Sequence, residues 1–388
     1  MNNNSVDNKP ETKPAYSEEE IERALELLKA PDLKERYLNA CHTQYLGRDK
    51  ELLLIKLATI SRRMRRGVSV IVTGTSSVGK SELMNTVLKT VDPEGKFDFT
   101  RITPQYLLYT INSLDHKIVT FFEIAGANET FHLLRTALSE GQLNLGTVQN
   151  DKKQGLHAED KKKSSEGMVM LTTFASGKVD HELDTRIIIV EITHDQELAK
   201  KVLKLKAGQV RTNDQDFKVW QIADHMIKPL DVVIPYAKKL ADLFPVHEER
   251  FMRDFDKLLT LIRSSALWHQ HQRERDGDGR VIASEEDYRI VYSLRELISQ
   301  TITSVSQPVR KFIEKIASIS GPEGGWVDRE KVRTELSVSP ATVKRHVKAA
   351  LEGDYIDANG RGKKQTLRVI DMPDTFSPLQ SPEDILGA

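Results

Sequence analysis

Cysteine is almost missing from this chain: Cys41 stands alone among 388 residues. A lone thiol excludes an intramolecular disulfide and any multi-cysteine zinc site, and it suits a reducing cytoplasm. No apolar run approaches the roughly 20 residues that a membrane-crossing helix needs, and the polar start from Met1 to Lys13 lacks the core of a secretion signal. The expectation is a cytoplasmic protein with no membrane partner. Net charge is missing too. Lys and Arg total 57, as do Asp and Glu, so overall charge points to no partner and local clusters must carry that argument. The 11 histidines are scattered, and His269 and His271 read as surface or packing residues. What is present, 39% hydrophobic and 29% charged residues, is ordinary for a globular chain with room for two or three domains.

The most informative stretch is Gly74-Thr75-Ser76-Ser77-Val78-Gly79-Lys80-Ser81, which fits Gly-x4-Gly-Lys-Ser. Val68-Ser69-Val70-Ile71-Val72 before it reads as a buried strand, and Glu82 to Leu88 after it as a helix. Strand, glycine turn and helix N-terminus form a phosphate cradle, because backbone N–H groups and the positive helix end face the anion. Gly74, Thr75, Ser76, Ser77, Val78, Gly79, Lys80, Ser81 and Glu82 are the expected nucleotide contacts, with ATP and Mg²⁺ as cofactors. Lys80 would reach the β- and γ-phosphates, and Ser81 would ligate the metal.

Around this motif the chain divides into six parts. Residues 1–16 read as a disordered tail and 17–66 as a helical segment opened by a Ser17/Glu20 capping box. Its third helix, expected from Lys50 to Arg66, ends in the basic run Arg62-Arg63-Met64-Arg65-Arg66. That run either complements the helix C-terminus or meets nucleic acid. Residues 67–195 alternate strands with helices, the pattern of an α/β fold around a parallel sheet; the further strands are 118–122, 168–173 and 187–190. Residues 196–310 read as a mainly helical lid and linker, 311–372 as a small helix-and-hairpin domain, and 373–388 as a proline-bearing tail.

The strand ends should hold the chemistry. Glu123, just past the second strand, occupies the place of a water-activating and metal-holding carboxylate, or merely caps the strand. Phe122 stands where a metal-binding Asp is usual, which points to slow turnover or to binding alone; Asp115 or Glu129 could compensate. Thr172 and Thr173 end the third strand, where Thr173 would sense the γ-phosphate or simply be a strand residue. Arg186 precedes the fourth strand. It would act as an arginine finger from a neighbouring subunit, or form a surface pair with Asp184 or Glu182.

The ordered set Gly-Thr-Ser-Ser-Val-Gly-Lys-Ser, Phe-Phe-Glu-Ile-Ala-Gly-Ala, Leu-Arg-Thr-Ala-Leu-Ser-Glu-Gly, Leu-Thr-Thr-Phe and Glu-Leu-Asp-Thr-Arg resembles one AAA+ group. These are the helicase-like ATPases associated with DNA primases of phages and mobile elements, similar to MCM helicases. The likeness spans roughly residues 20 to 370. It implies a P-loop NTPase core, a helical lid and a C-terminal winged helix. It also implies a ring, usually a hexamer, with ATP at subunit interfaces and Arg186 acting in trans. Arg253 becomes the lid arginine that senses γ-phosphate, with Arg250 as runner-up. Zinc-binding and primase domains that often precede such ATPases are missing, so a separate primase is an expected partner.

Two segments invite nucleic acid. Leu143, Leu145 and Thr147 alternate like a strand entering a hairpin, followed by Lys152, Lys153, Lys161, Lys162 and Lys163. In MCM-like ATPases such a hairpin grips single-stranded DNA in the pore by its phosphates, and Lys152 and Lys153 are the expected contacts. The other reading is a solvated loop. Near the C-terminus, Ser339-Pro340 starts a helix with Val343, Val347, Ala350 and Leu351 inward. Thr342, Lys344, Arg345 and Lys348 lie elsewhere on that helix, and a basic wing carries Arg361 and Lys363. Duplex DNA or a docking protein would meet that surface. The expected activity is that of an ATP-driven ring helicase or translocase; the rival is a nucleotide-gated DNA-binding switch, as in an initiator, loader or regulator. A weaker third reading is a protein-remodelling ATPase.

Overall fold

β-Branched runs build the centre of the molecule. A computed structural model describes residues 16–99, 103, 106–107, 113–121, 128–151, 155–174, 187–208, 217–244, 251–302, 307–321, 324–360, 362–370 and 379–387. Three helices come first: α1 (Glu18–Lys29), α2 (Leu33–His42) and α3 (Asp49–Ser61). Ser17 and Glu20 close the expected capping box at α1. In α3 every residue from Glu51 to Ser61 is buried, so this helix is wrapped on all sides. Shortening one of its leucines, such as Leu54, to Ala would cost about 2–5 kcal/mol.

The sheet follows. Its strands are β1 (Ser69–Thr73), β2 (Lys96–Phe99) and β3 (Ile118–Phe121), with α4 (Lys80–Leu88) after β1 and α5 (Asn128–Glu140) after β3. Next come β4 (Gln142–Asp151), β5 (Gly155–Ser164), β6 (Val169–Phe174) and β7 (Ile187–Glu191). The five-stranded sheet runs β2-β3-β6-β1-β7, and each neighbouring pair is parallel. Parallel strands covered on both faces need apolar residues on both sides, which is why Val70, Ile71 and Val72 are all buried. Val70 and Val72 join a core shared with α3, while Ile71 joins Val119, Met170 and Leu134 on the opposite face.

β4 and β5 stand outside that sheet as an antiparallel ribbon paired from Gln142↔Ser164 to Asp151↔Gly155. Then come α6 (Gln196–Gly208), α7 (Lys218–Met226), β8 (Val232–Val233), α8 (Ala237–Leu243) and α9 (Phe251–Trp268). β9 (Val281–Ile282), α10 (Glu285–Ser293) and α11 (Arg295–Ile302) complete the helical part. The C-terminal unit comprises α12 (Gln307–Ser320), β10 (Val327–Asp328), α13 (Arg329–Glu335), α14 (Pro340–Glu352), β11 (Ile356–Asn359) and β12 (Thr366–Val369). It has its own antiparallel sheet, β10-β12-β11, and its own core of Phe312, Ile316, Val332, Val343, Val347 and Leu367.

Three expectations need correction. The third helix stops at Ser61 rather than Arg66, because the chain turns to bring Arg62 into the interior, where Nη1 donates to the Thr59 carbonyl at 2.8 Å. Leu351 is not part of the inner stripe of α14: it is 38% exposed, while Val343, Val347 and Ala350 are buried. The closing residues are not all tail. Short helix α15 (Pro382–Leu386) buries Ile385, Leu379 is buried just before it, and Tyr288 of α10 donates to the Gln380 carbonyl at 2.8 Å. Among the described residues no helix is long and apolar enough to cross a membrane.

Candidate functional site

The loop from Gly74 to Gly79 connects the C-terminal end of β1 to the first turn of α4, at the middle of the sheet. Gly74 takes φ +145° and a Cβ there would lie 2.3 Å from the Ile192 carbonyl oxygen, so only glycine lets the loop leave the strand this closely. Ser77 at φ 68° and Gly79 at φ 88° are left-handed, and alternating right- and left-handed residues fold backbone N–H groups into a concave nest. The N-terminus of α4 adds about half a positive charge. Lys80 is the first residue of α4, and its ammonium donates to the carbonyls of Gly74 at 3.0 Å and Thr75 at 2.8 Å. The lysine therefore spans the loop. Thr75, Ser76, Ser77, Ser81 and Glu82 are exposed on its outer side, with Val78 half-buried.

Neighbouring strands bring further groups to the same edge. Val72 pairs with Thr173 and Ile71 with Thr172, so both threonines sit one strand from the loop. They differ in role. Thr172 is fully buried and donates from Oγ1 to the Phe121 carbonyl at 2.7 Å, tying β6 to β3. Thr173, the expected sensor, is 3% exposed and lies one residue nearer the strand end. On the other side Glu191 pairs with Thr73, immediately before the loop. Burial raises its carboxyl above the ordinary range, while Arg345 acts in the opposite sense. Sequence reasoning missed Glu191; the signal was an acid ending an otherwise apolar strand. It missed Tyr45 as well, whose ring lies 3.2–3.7 Å from where a Gly79 Cβ would stand. Arg48, three residues on, donates to the Thr193 carbonyl at 2.5 Å.

Asp115 is ruled out as a compensating metal carboxylate. It precedes β3, at the opposite edge of a parallel sheet from the loop, and its Oδ1 accepts the Glu166 N–H at 2.8 Å. Asp98, at the loop edge on β2, accepts from Thr120 Oγ1 at 2.6 Å. Among the described residues one trio, Asp92, Glu94 and His225, brings ligand atoms within 4.8 Å of one another. That trio is committed elsewhere: His225 Nδ1 lies 2.7 Å from Asp92, beside the buried arginine cluster around Asp224. Glu123, Arg186, Phe122 and Arg250 lie outside the described residues, as do Lys152, Lys153 and Arg361. Arg253 is exposed in the first turn of α9; one turn later Lys257 donates to the Ile187 carbonyl at 3.2 Å, fastening α9 to β7.

The candidate nucleic-acid residues fall in several settings. Lys161, Lys162 and Lys163 lie on β5 opposite Leu145, Asn144 and Leu143, so the lysine run is one strand of the ribbon rather than a loop. Lys162 is exposed, whereas Lys163 donates to the Leu107 carbonyl at 2.9 Å and serves as an anchor. On α14, Lys344, Arg345 and Lys348 are exposed, and Lys348 pairs with Glu352 at 3.7 Å. Thr342 is used locally: its N–H donates to Ser339 Oγ at 3.1 Å, closing the helix cap. Lys363 falls in the short turn between β11 and β12.

The observed arrangement can hold a nucleoside triphosphate by backbone N–H groups, a helix end and one lysine. Residues 18–226 match the family model described as the MTBMA_p00010 P-loop domain. No curated protein matches the chain. The match covers over half of the sequence and encloses the loop, the five strands around it and the first two helices beyond them, so the chain carries a P-loop NTPase domain and belongs to the MTBMA_p00010 P-loop domain family.

Proposed function

We propose that this protein is an ATP-driven ring motor that moves on DNA, of the AAA+ type with a winged-helix C-terminal unit. The observation that carries the reading is the β4–β5 ribbon. It is inserted between α5 and the strand bearing Thr173, it is ten residues long on each side, and it exposes Lys162. A ribbon free of the main sheet and joined directly to the sensor strand is suited to convert a change at the phosphates into movement of a gripped strand. The strand order β2-β3-β6-β1-β7 and the α12-β10-α13-α14-β11-β12 order also support it.

In this reading Lys80 and the loop N–H groups hold the phosphates and Ser81 ligates Mg²⁺. Glu123 activates water, Thr173 orients it, and Arg253 senses the γ-phosphate. Arg186 from the neighbouring protomer neutralises developing charge, a contribution of about 10³–10⁵ in rate where such fingers act. Lys152 and Lys153 with the ribbon contact single-stranded DNA, and Thr342, Lys344, Arg345, Lys348, Arg361 and Lys363 face duplex or a docking protein. A hexamer and a separate primase fit the same scheme. The test is the ATPase rate with and without single-stranded DNA, alongside particle mass with a slowly hydrolysed ATP analogue. Stimulation and a ring-sized particle are expected. A monomer with no DNA response overturns the motor.

A second reading rests on Phe122 in the sequence, where a metal-holding Asp is usual. A nucleotide-gated DNA-binding switch would bind ATP tightly without measurable turnover.

A further inference from the structure

The fold divides the basic run 62–66 into two pairs with different uses. Arg62 is fully buried on Asp224, and Arg63 donates from Nη2 to the Asp224 carbonyl at 2.8 Å. Arg65 and Arg66 are exposed and, among the described residues, make no side-chain hydrogen bond or ion pair. They line a cleft of about 130 Å³ with Ser139, Gly141, Ser165 and Gly167.

That cleft lies at the root of the β4–β5 ribbon. Gly141 leads into β4, and Ser165 to Gly167 follow β5. The Ser165 N–H donates to the Gly141 carbonyl at 2.9 Å, and the Gly167 N–H donates to the Arg65 carbonyl at 2.9 Å. A Cβ on Gly167 would stand 2.4 Å from the Met64 carbonyl oxygen and 2.6 Å from that of Arg62. The arginine turn and the ribbon root thus touch backbone to backbone. Lys162 sits two residues above Ser164, about 7 Å along the strand, so a further exposed cation stands on the ribbon above the arginine turn.

We propose that Arg65 and Arg66 bind the phosphodiester backbone of single-stranded DNA at the ribbon root, as a contact beneath the ribbon's lysines. This rests on the reading of the ribbon as the DNA-gripping element. Guanidinium groups present a fork that matches phosphate, and they read charge without reading bases. Glu140 and Glu166 line the same cleft and offset its formal charge, yet neither pairs with the arginines, which leaves the guanidinium N–H groups open to an anion. A phosphate backbone supplies anions in series, as the succession Arg65, Arg66 and Lys162 requires.

The test uses the full chain and a fluorescein-labelled oligo(dT), with anisotropy titrations over about 50–200 mM salt. Two lost phosphate contacts on a single strand lower the log–log salt slope by about 1.4. Arg65→Ala/Arg66→Ala is therefore expected to bind more weakly with a slope reduced by about that amount. Arg65→Lys/Arg66→Lys should keep most of the slope, and ATP binding without DNA should be unchanged in both. An alanine pair with unaltered slope and affinity overturns the inference. If Lys161→Ala/Lys162→Ala then still weakens binding, the ribbon reading survives and only the arginine contact falls. A wild-type protein that fails to bind oligo(dT) sinks both.

Discussion

Asp224 receives the guanidinium of Arg62 at 2.6 Å, with neither side chain exposed to solvent. The pair joins the end of α3 to α7 across 162 residues of sequence. The Asp92 N–H adds a donor at 2.9 Å and Lys56 stands at 3.8 Å, so the carboxylate is surrounded by partners. Breaking such a pair leaves an uncompensated charge in the interior. Asp224→Asn should destabilise the protein by about 3–5 kcal/mol, read as a lower denaturation midpoint at unchanged m-value. An unaltered midpoint would contradict the role assigned to this contact.

The same carboxyl sets an acid limit. Burial alone would raise it, but Arg62, Lys56 and Arg63 together outweigh that and hold it far below the usual carboxylate range. A depressed folded value stabilises above the unfolded value of about 3.9 and is lost as pH falls from there toward the folded value. Urea melts should therefore show stability declining below about pH 4, with a shallower decline in Asp224→Asn.

His346 predicts a second pH effect nearer neutrality. It is 4% exposed, its ring lies 5.7 Å from Phe312, and burial followed by the charge of Arg345 lowers its pKa. The unfolded chain takes up the proton first, near pH 6.5, so this group's stabilisation is present above that pH and lost as pH falls through the folded value. Between pH 7 and 5 the C-terminal unit should become easier to unfold, measured by hydrogen exchange across α12 and α14. His346→Leu should flatten that dependence.

Lys80→Ala should lower ATP turnover, or ATP affinity where turnover is negligible, by about 100-fold or more, since it removes the loop's one side-chain cation. Fluorescent-nucleotide titration and phosphate release measure the two cases. Gly79→Ala should weaken nucleotide binding with secondary structure intact, because φ 88° and the Tyr45 ring both oppose a Cβ.

Gly167→Ala tests the ribbon root. Its φ of +67° and three atoms within 2.6 Å of the added methyl, two of them backbone oxygens, leave no room. Circular dichroism melts should show a loss of at least about 1–3 kcal/mol. Gly141→Ala, with nothing within 4 Å, should lose less.

Local chemistry was readable where it was local. The Val68–Val72 run, the glycine loop and the Ser17/Glu20 box each declared themselves within a few residues. β2 was overlooked because Lys96-Phe97-Asp98-Phe99 is a half-exposed edge strand with charges at alternate positions. The lysines of β5 read as part of a hairpin or as a solvated loop, and only their pairing with Gln142–Asp151 makes them a strand. Arg62 looked like a surface cation for a different reason: its partner lies far along the chain, and no periodicity reports an ion pair of that span. Glu191 likewise gains meaning only when β7 is placed beside β1.

Helix α3 has no solvent-facing side over eleven residues, and a close-packed interior resists bending. Its thirteen residues extend about 20 Å. Just before it stand Tyr45, against the phosphate loop, and Arg48; just after it comes the turn welded to Gly167. Such a rod resists bending within its own length. If nucleotide moves the phosphate-loop end, the displacement is expected to emerge at the turn against Gly167, as a push-rod would carry it.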